Sequence, residues 1–287
     1  MTGRVTITTP SPLPGNLNLL ICLPLFYCNE KFLGLVSVCW GDWQKFILDA
    51  KDTIWHSSEQ EDALIVYSVE GGTAMPYRTL DLQSACEALH GGRVIAFPTE
   101  TFYGLACNAL NPDAIGAVYA MKQRAYGLPL PVVIGDVADL ERVAVDIHPL
   151  ARTLIGAYWP GPLSIIFTAS PDVPDLLTAG TGRIAVRFSP HPGSIALCRA
   201  SGCVLSSSSA NVSGNPPAVA PEDIDPAFGE RLAGVYVAPP APQGGKPSTI
   251  VEIISSGTQS ALRVLRDGAV SAEELRSAGF ETVMVDG

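Results

Sequence analysis

The stretch VIAFPTETFYGL, residues 94–105, decides the fold. Val94 to Phe97 is an apolar run of the kind that forms a buried strand, and Gly91-Gly92 just before it supplies the stop of a preceding helix. Directly behind the strand come Thr99, Glu100, Thr101, Tyr103 and Gly104. Alone, such a turn satisfies its own backbone through local hydroxyls. Beside other polar strand ends it becomes a wall of a ligand site, because open α/β sheets bind ligands where their strands end.

Working outward, the pattern alternates. Leu80 to Leu89 has helical apolar spacing and feeds the strand Val94 to Phe97. Asn111 as cap and Pro112 at the first position open a helix running to Met121. Strands are expected at Leu130 to Ile134, Leu163 to Thr168, Ile184 to Phe188, Thr249 to Ile254 and Ala261 to Leu265, with helices at Pro149 to Tyr158 and Gly193 to Ala200. This alternation predicts an α/β domain, a sheet covered by helices. The one biased stretch, Pro239 to Pro247, reads as a Pro/Gly-rich loop.

Composition narrows the function classes. With 287 residues, 47% of them hydrophobic, the chain forms a sizeable core. A net charge of −10 argues against a surface built to coat nucleic acid and confines any RNA contact to a local patch. The seven cysteines form no C-x-x-C pair, so neither zinc nor a disulfide framework is indicated and reduced thiols in a cytoplasm are expected. Apolar runs at Leu19 to Cys28 and Phe32 to Trp40 fall short of the roughly 20 residues a membrane span needs.

Further polar clusters sit at other element ends. Lys122 and Arg124 close the Pro112 helix two residues apart, where a turn leaving the helix would converge them on an anion. Ser206 to Gly214 offers small donors at close approach. Ser248-Thr249 precedes one late strand and Arg266-Asp267-Gly268 follows the next. His191 reads as a satisfied surface histidine rather than a base. No Walker loop, no G-x-G-x-x-G turn and no G-x-S-x-G elbow occurs.

In order, these segments resemble the YrdC-like domain of threonylcarbamoyl-AMP synthases. The matching text is Val94 to Leu105, Lys122-Gln123-Arg124 with Pro129-Leu130, Trp159 to Leu163, Ala185 to Arg187, Ser209 to Gly214, Ser248-Thr249 and Leu265 to Gly268. The resemblance implies a mixed, twisted sheet with flanking helices around a deep, positively charged cleft. It implies a nucleotidyltransferase reaction in which L-threonine, bicarbonate and ATP give L-threonylcarbamoyladenylate and pyrophosphate, toward N6-threonylcarbamoyladenosine in tRNA. By the same pattern Thr101, Arg187 and Ser248 contact threonine. Lys122, Arg124, Ser209 and Asn211 hold ATP and the reacting carbamate, and Arg266 contacts the nucleotide. Mg2+ is expected to arrive on ATP, with no protein metal site and no tightly bound cofactor. A downstream threonylcarbamoyl-transferase complex is the implied partner, and replacing Lys122 or Arg124 by Ala is expected to abolish turnover with the fold intact.

The chain departs from the pattern at Leu128 and Val133, which puts one ATP contact and one threonine contact in question. The short, single-domain branch is the closer likeness, with 75–287 the catalytic domain and 1–74 an atypical extension, Met75 being the expected natural start. Two other functions share the fold: a carbamoyl-transfer module, and a non-catalytic RNA-binding relative. The first normally sits beside zinc-finger-like segments and the second tends to lose the Ser-x-Asn pair retained here at Ser209 and Asn211.

Overall fold

The computed structural model describes residues 77–123, 127–212, 214–256 and 259–284, together with short strands between Arg4 and Glu70. The chain divides into two units, Met1–Ala74 and Met75–Gly287. In the first, Arg4–Ile7, Tyr67–Glu70, Thr53–Trp55 and Ile47–Leu48 lie side by side as an antiparallel sheet, and Tyr27–Cys28 pairs with Lys31–Phe32. The rest of the expected extension, and the proposed start at Met75, lie outside the described residues. Among the described residues no helix is long and apolar enough to cross a membrane.

The second unit is a mixed α/β structure with two sheets. In chain order its elements are β1 (Thr79–Leu80), α1 (Leu82–His90), β2 (Val94–Pro98), β3 (Tyr103–Ala106), α2 (Pro112–Lys122), β4 (Val132–Ile134), β5 (Ala144–Val145), α3 (Pro149–Tyr158), β6 (Leu163–Ala169), α4 (Asp175–Thr178), β7 (Arg183–Phe188), α5 (Pro192–Ser201), β8 (Leu205–Ser206), β9 (Ser208–Ser209), β10 (Leu232–Tyr236), β11 (Thr249–Ser256), β12 (Gln259–Arg266), α6 (Ala272–Ser277) and β13 (Thr282–Met284). The large sheet runs β8-β4-β7-β6-β11-β12-β13 with β5 added against β6, and the small one runs β9-β3-β2-β10-β1. Both mix parallel and antiparallel pairs.

Strand β2 shows why the opening run is continuously apolar. Val94 and Ala96 belong to the main core with Tyr103, Leu105 and Ile115, whereas Ile95 and Phe97 enter a second cluster with Leu89, Leu197 and Leu205. Both faces are buried, so no alternation survives. Each of these larger side chains contributes about 1.5–3 kcal/mol of burial.

Local chemistry sets the ends of the elements. Asn111 Oδ1 accepts from the backbone N–H groups of Asp113 and Ala114 at 3.0 and 3.2 Å, capping α2. That helix closes with Gln123 in the left-handed region at φ 49°, one residue past Lys122. Strands β3 and β10, absent from the expected set, are nonetheless central to the small sheet. The register of β10 slips between Leu232 and Val235, and Gly234 between them has φ 153°, so neither sequence period nor propensity marks it as a strand.

Candidate active site

The two sheets are joined where the chain crosses from β8 to β9. Ser206 pairs with Val132 in the large sheet, and Ser208 and Ser209 pair with Leu105 and Gly104 in the small one. The bond from the Ser207 N–H to the Pro131 carbonyl, 2.8 Å, holds the crossing. This explains the serine run: a segment that pairs with two sheets in five residues needs small side chains, and its hydroxyls are left at the junction.

At that junction lies a cleft of about 610 Å3, within the range of small-molecule sites. Its floor is one face of the large sheet: Ser164 and Ile166 of β6, Ala185 and Arg187 of β7, Ile250 of β11 and Leu265 of β12. The intervening Leu163, Ile165, Ile184 and Val186 enter the main core, as the two-residue strand period requires. The far wall is Thr99, Thr101 to Gly104, Ser207 to Ser209 and Asn211. Although the chain carries a net charge of −10, the charged groups among the described residues lining the cleft are Arg187 and Arg266, with no carboxylate. Such a floor selects anions.

The polar turn behind β2 divides its labour. Thr99 turns inward: its Oγ1 donates to the Phe102 carbonyl at 2.7 Å and accepts from the Phe102 N–H at 3.3 Å. Thr101 lines the cleft, its hydroxyl 3.3 Å from that of Thr99. Glu100 points to β7, where one carboxylate oxygen accepts from Arg187 Nη1 and the other accepts from the Ser189 hydroxyl at 2.6 Å. Burial draws the Arg187 guanidinium down to about 10, the like charge of Arg266 adding to the shift, which leaves it a full cation at neutral pH.

Gly104 leaves room for the Phe97 ring. A Cβ there would meet the Phe97 ring at 2.9 Å across the β2–β3 pair. Gly268 is a second close approach, because a Cβ would lie 2.2 Å from the Pro247 carbonyl oxygen. Its N–H bonds Thr249 Oγ1 at 3.0 Å, so the Leu265 to Gly268 motif is locked to the Ser248-Thr249 motif. On that lock Arg266 donates to the Ser248 carbonyl at 2.8 Å and to its hydroxyl at 3.0 Å, and the same hydroxyl lies 3.2 Å from Ser164 Oγ.

Of the residues expected in the site, Thr101, Arg187, Ser209, Asn211, Ser248 and Arg266 line this one cleft. Lys122 stands behind its wall. Buried to 4% exposure, its Nζ donates to the carbonyls of Ser209 at 2.7 Å and Asn211 at 2.5 Å, and lies 3.4 and 3.3 Å from Ser209 Oγ and Asn211 Oδ1. Arg124 lies outside the described residues. Leu128 is half exposed, its carbonyl accepting from the Tyr119 hydroxyl at 2.7 Å. Val133, level with Arg187 in the sheet, is buried in the cluster of Leu197, Cys198 and Leu205 and does not line the cleft.

His191 corrects its reading as a surface residue: it is 3% exposed. Nδ1 accepts from the Gly193 N–H at 3.0 Å, capping α5, so the proton resides on Nε2, which donates to the Pro240 carbonyl at 2.7 Å. Capping and a loop anchor, not solvent, satisfy it.

Residues 87–268 match the family Sua5_yciO_yrdC, described as telomere recombination. The chain belongs to the Sua5/YciO/YrdC family. The matched segment encloses every candidate from Thr101 to Arg266. Over 198 residues the chain is 34% identical to the threonylcarbamoyl-AMP synthase of Bacillus subtilis, covering 68% of itself but 56% of that protein. Over 163 residues it is 40% identical to the enzyme of the same name from Xylella fastidiosa, covering 56% of itself and 87% of that protein. Among solved structures, P. abyssi Sua5 complexed with L-threonine is similar at TM-score 0.65 and 26% identity, over 72% of this chain and 62% of that one.

Sequence reading missed three Sua5/YciO/YrdC-segment residues that hold the site together. Ser164 braces Ser248, Glu100 pairs with Arg187, and Ser189 braces Glu100. For Glu100 the signal was a carboxylate inside an otherwise hydroxyl-bearing turn; the two serines carry none.

Proposed function

We infer that the chain is an L-threonylcarbamoyladenylate synthase, a nucleotidyltransferase that joins L-threonine, bicarbonate and ATP. What carries this reading is the cleft itself: in an acidic chain of this family, two arginines, Thr101, Ser248, Ser209 and Asn211 converge on one pocket, with no carboxylate among the described residues that line it. Arg187 receives the threonine carboxylate, since a guanidinium carries more N–H donors than Glu100 occupies. Thr101 and Ser248 meet the amino acid's polar groups on either side. Ser209, Asn211 and Arg266 face the nucleotide, and Lys122 and Arg124 belong to the same machinery, Lys122 by holding the Ser209–Asn211 turn.

The chemistry asks mainly for positioning and neutralised charge. The threonine amine captures carbon dioxide derived from bicarbonate and gives up a proton. A carbamate oxygen then attacks the α-phosphorus of ATP, forming one P–O bond as the bond to the β-phosphate bridge breaks and pyrophosphate leaves. Mg2+ belongs to ATP in this scheme: the cleft offers hydroxyls, and a hard cation already held by phosphates needs few protein ligands. The product is a mixed anhydride, so it passes to a transferase acting on tRNA, with at most weak tRNA binding by this chain, in the cytoplasm.

The test is pyrophosphate release from ATP. Dependence on both L-threonine and bicarbonate is expected, and release indifferent to either overturns the reading.

A further inference from the structure

The cleft arginine is held by groups that stand outside the cleft. Arg187 is 8% exposed and Glu100 16% exposed at their side chains, and Glu100 is not among the residues lining the pocket. Its carboxylate joins Arg187 on one oxygen and Ser189 Oγ on the other. Ser189 Oγ in turn accepts the His191 N–H at 3.2 Å, and His191 Nε2 reaches the Pro240 carbonyl. The backbone of the same turn holds the Pro/Gly loop directly, because Gln243 N–H bonds the Glu100 carbonyl at 3.1 Å and Gly244 N–H bonds the Thr101 carbonyl at 2.8 Å. That loop ends in Pro247 and Ser248, which line the cleft opposite. Glu100 therefore joins the arginine and the hydroxyl at the exit of β7 through its carboxylate, and the Pro/Gly loop through its backbone carbonyl.

We propose that Glu100, braced by Ser189, is a positioning residue that fixes the direction of the Arg187 guanidinium and so sets recognition of the amino-acid carboxylate. The proposal rests on the synthase reading for the identity of the ligand but not for the geometry. Two forces oppose each other at Arg187. Removing the carboxylate raises the local positive charge, which by itself strengthens attraction for an anion. It also frees a guanidinium that Arg266 repels. A planar donor fork works through its direction, so loss of direction outweighs the gain in charge.

The experiment compares wild type with Glu100→Gln and Ser189→Ala by steady-state pyrophosphate release and by crystal structures of each. The Michaelis constant for L-threonine is expected to rise about tenfold or more in Glu100→Gln and about threefold in Ser189→Ala, with that for ATP changed less than twofold. Michaelis constants do not depend on how much enzyme is folded, so a loss of stability cannot imitate this split. L-threoninol, which lacks the carboxylate, should inhibit all three proteins equally. Unchanged or lower threonine constants, or equal rises for threonine and ATP, overturn the proposal. The crystal structures decide independently of the substrate: the Arg187 guanidinium should leave its wild-type position in Glu100→Gln, and an unmoved guanidinium refutes the positioning role. A wild type that ignores threonine defeats the synthase reading instead, and the guanidinium's position still decides this one.

Discussion

Lys122 and Arg187 are both buried cations brought to the same cleft, yet the fold uses them differently. Lys122 is surrounded by carbonyl and amide oxygens of one short turn, Ser209 to Asn211, and shapes that turn from behind. Arg187 lines the cleft and leans on a carboxylate behind it. An ammonium is a compact point charge that gathers several oxygens, whereas a guanidinium is a rigid fork that presents a directed edge. The comparison teaches that a buried cation can serve a site through the turn it holds as well as along the wall it lines.

The sharpest way to break this comparison is Lys122→Ala. Truncation strands the Asn211 carbonyl without its buried donor, at about 1–3 kcal/mol, while the Ser209 carbonyl keeps the Asn211 N–H at 2.9 Å. Turnover should fall below detection, and urea unfolding should show a stability loss of about 1–3 kcal/mol. This revises the expectation that the fold stays intact. If stability is unchanged, Lys122 is a ligand contact after all. Next comes Arg187→Lys, which keeps the charge and discards the fork. The Michaelis constant for threonine should rise about 10- to 100-fold, that for ATP should move little, and an equal effect on both would erase the distinction between the two cations.

How much of this could be read from the sequence follows the range of the interactions. The Asn111-Pro112 cap, the helix Pro149–Tyr158 and the strands at Ile184 and Thr249 declare themselves through local chemistry and period. Thr101, Arg187 and Ser248 were legible because each sits at an element end in a recognisable motif. Glu100 was not, because its partners are 87 and 89 residues away and nothing local to the turn points at them. The role of Lys122 was hidden for the same reason, its oxygens lying 87 and 89 residues on. Strand β10 escaped because a glycine and a register slip interrupt its pattern.

A smaller effect is expected at Thr101→Val, which keeps the shape and removes the hydroxyl facing the cleft. Loss of one hydrogen bond to substrate costs about 1–2 kcal/mol, so kcat/KM for threonine should drop about 5- to 30-fold with no change in thermal stability. A drop in stability instead would assign Thr101 to the turn, as Thr99 already is.

The smallest effect separates the two cations by pH. Burial holds the His191 imidazole below its usual value of 6.5, opposed in part by its bond to the Pro240 carbonyl. A histidine depressed in the folded state binds more protons when unfolded. Its contribution to stability is thus complete above about pH 6.5 and declines as pH falls toward the lowered folded value. Protonation places a hydrogen on Nδ1 where the Gly193 N–H now donates, removing the cap of α5 and loosening the link to Ser189 and Glu100. His191→Asn keeps a capping oxygen without the titration. The free energy of unfolding measured from pH 7.5 to pH 5 should fall further for wild type than for His191→Asn. The threonine Michaelis constant should climb over the same interval in wild type and less in the variant, because the loosened groups stand on the Arg187 side of the cleft. Identical profiles for the two proteins would detach His191 from Arg187 and leave the cap as its whole role.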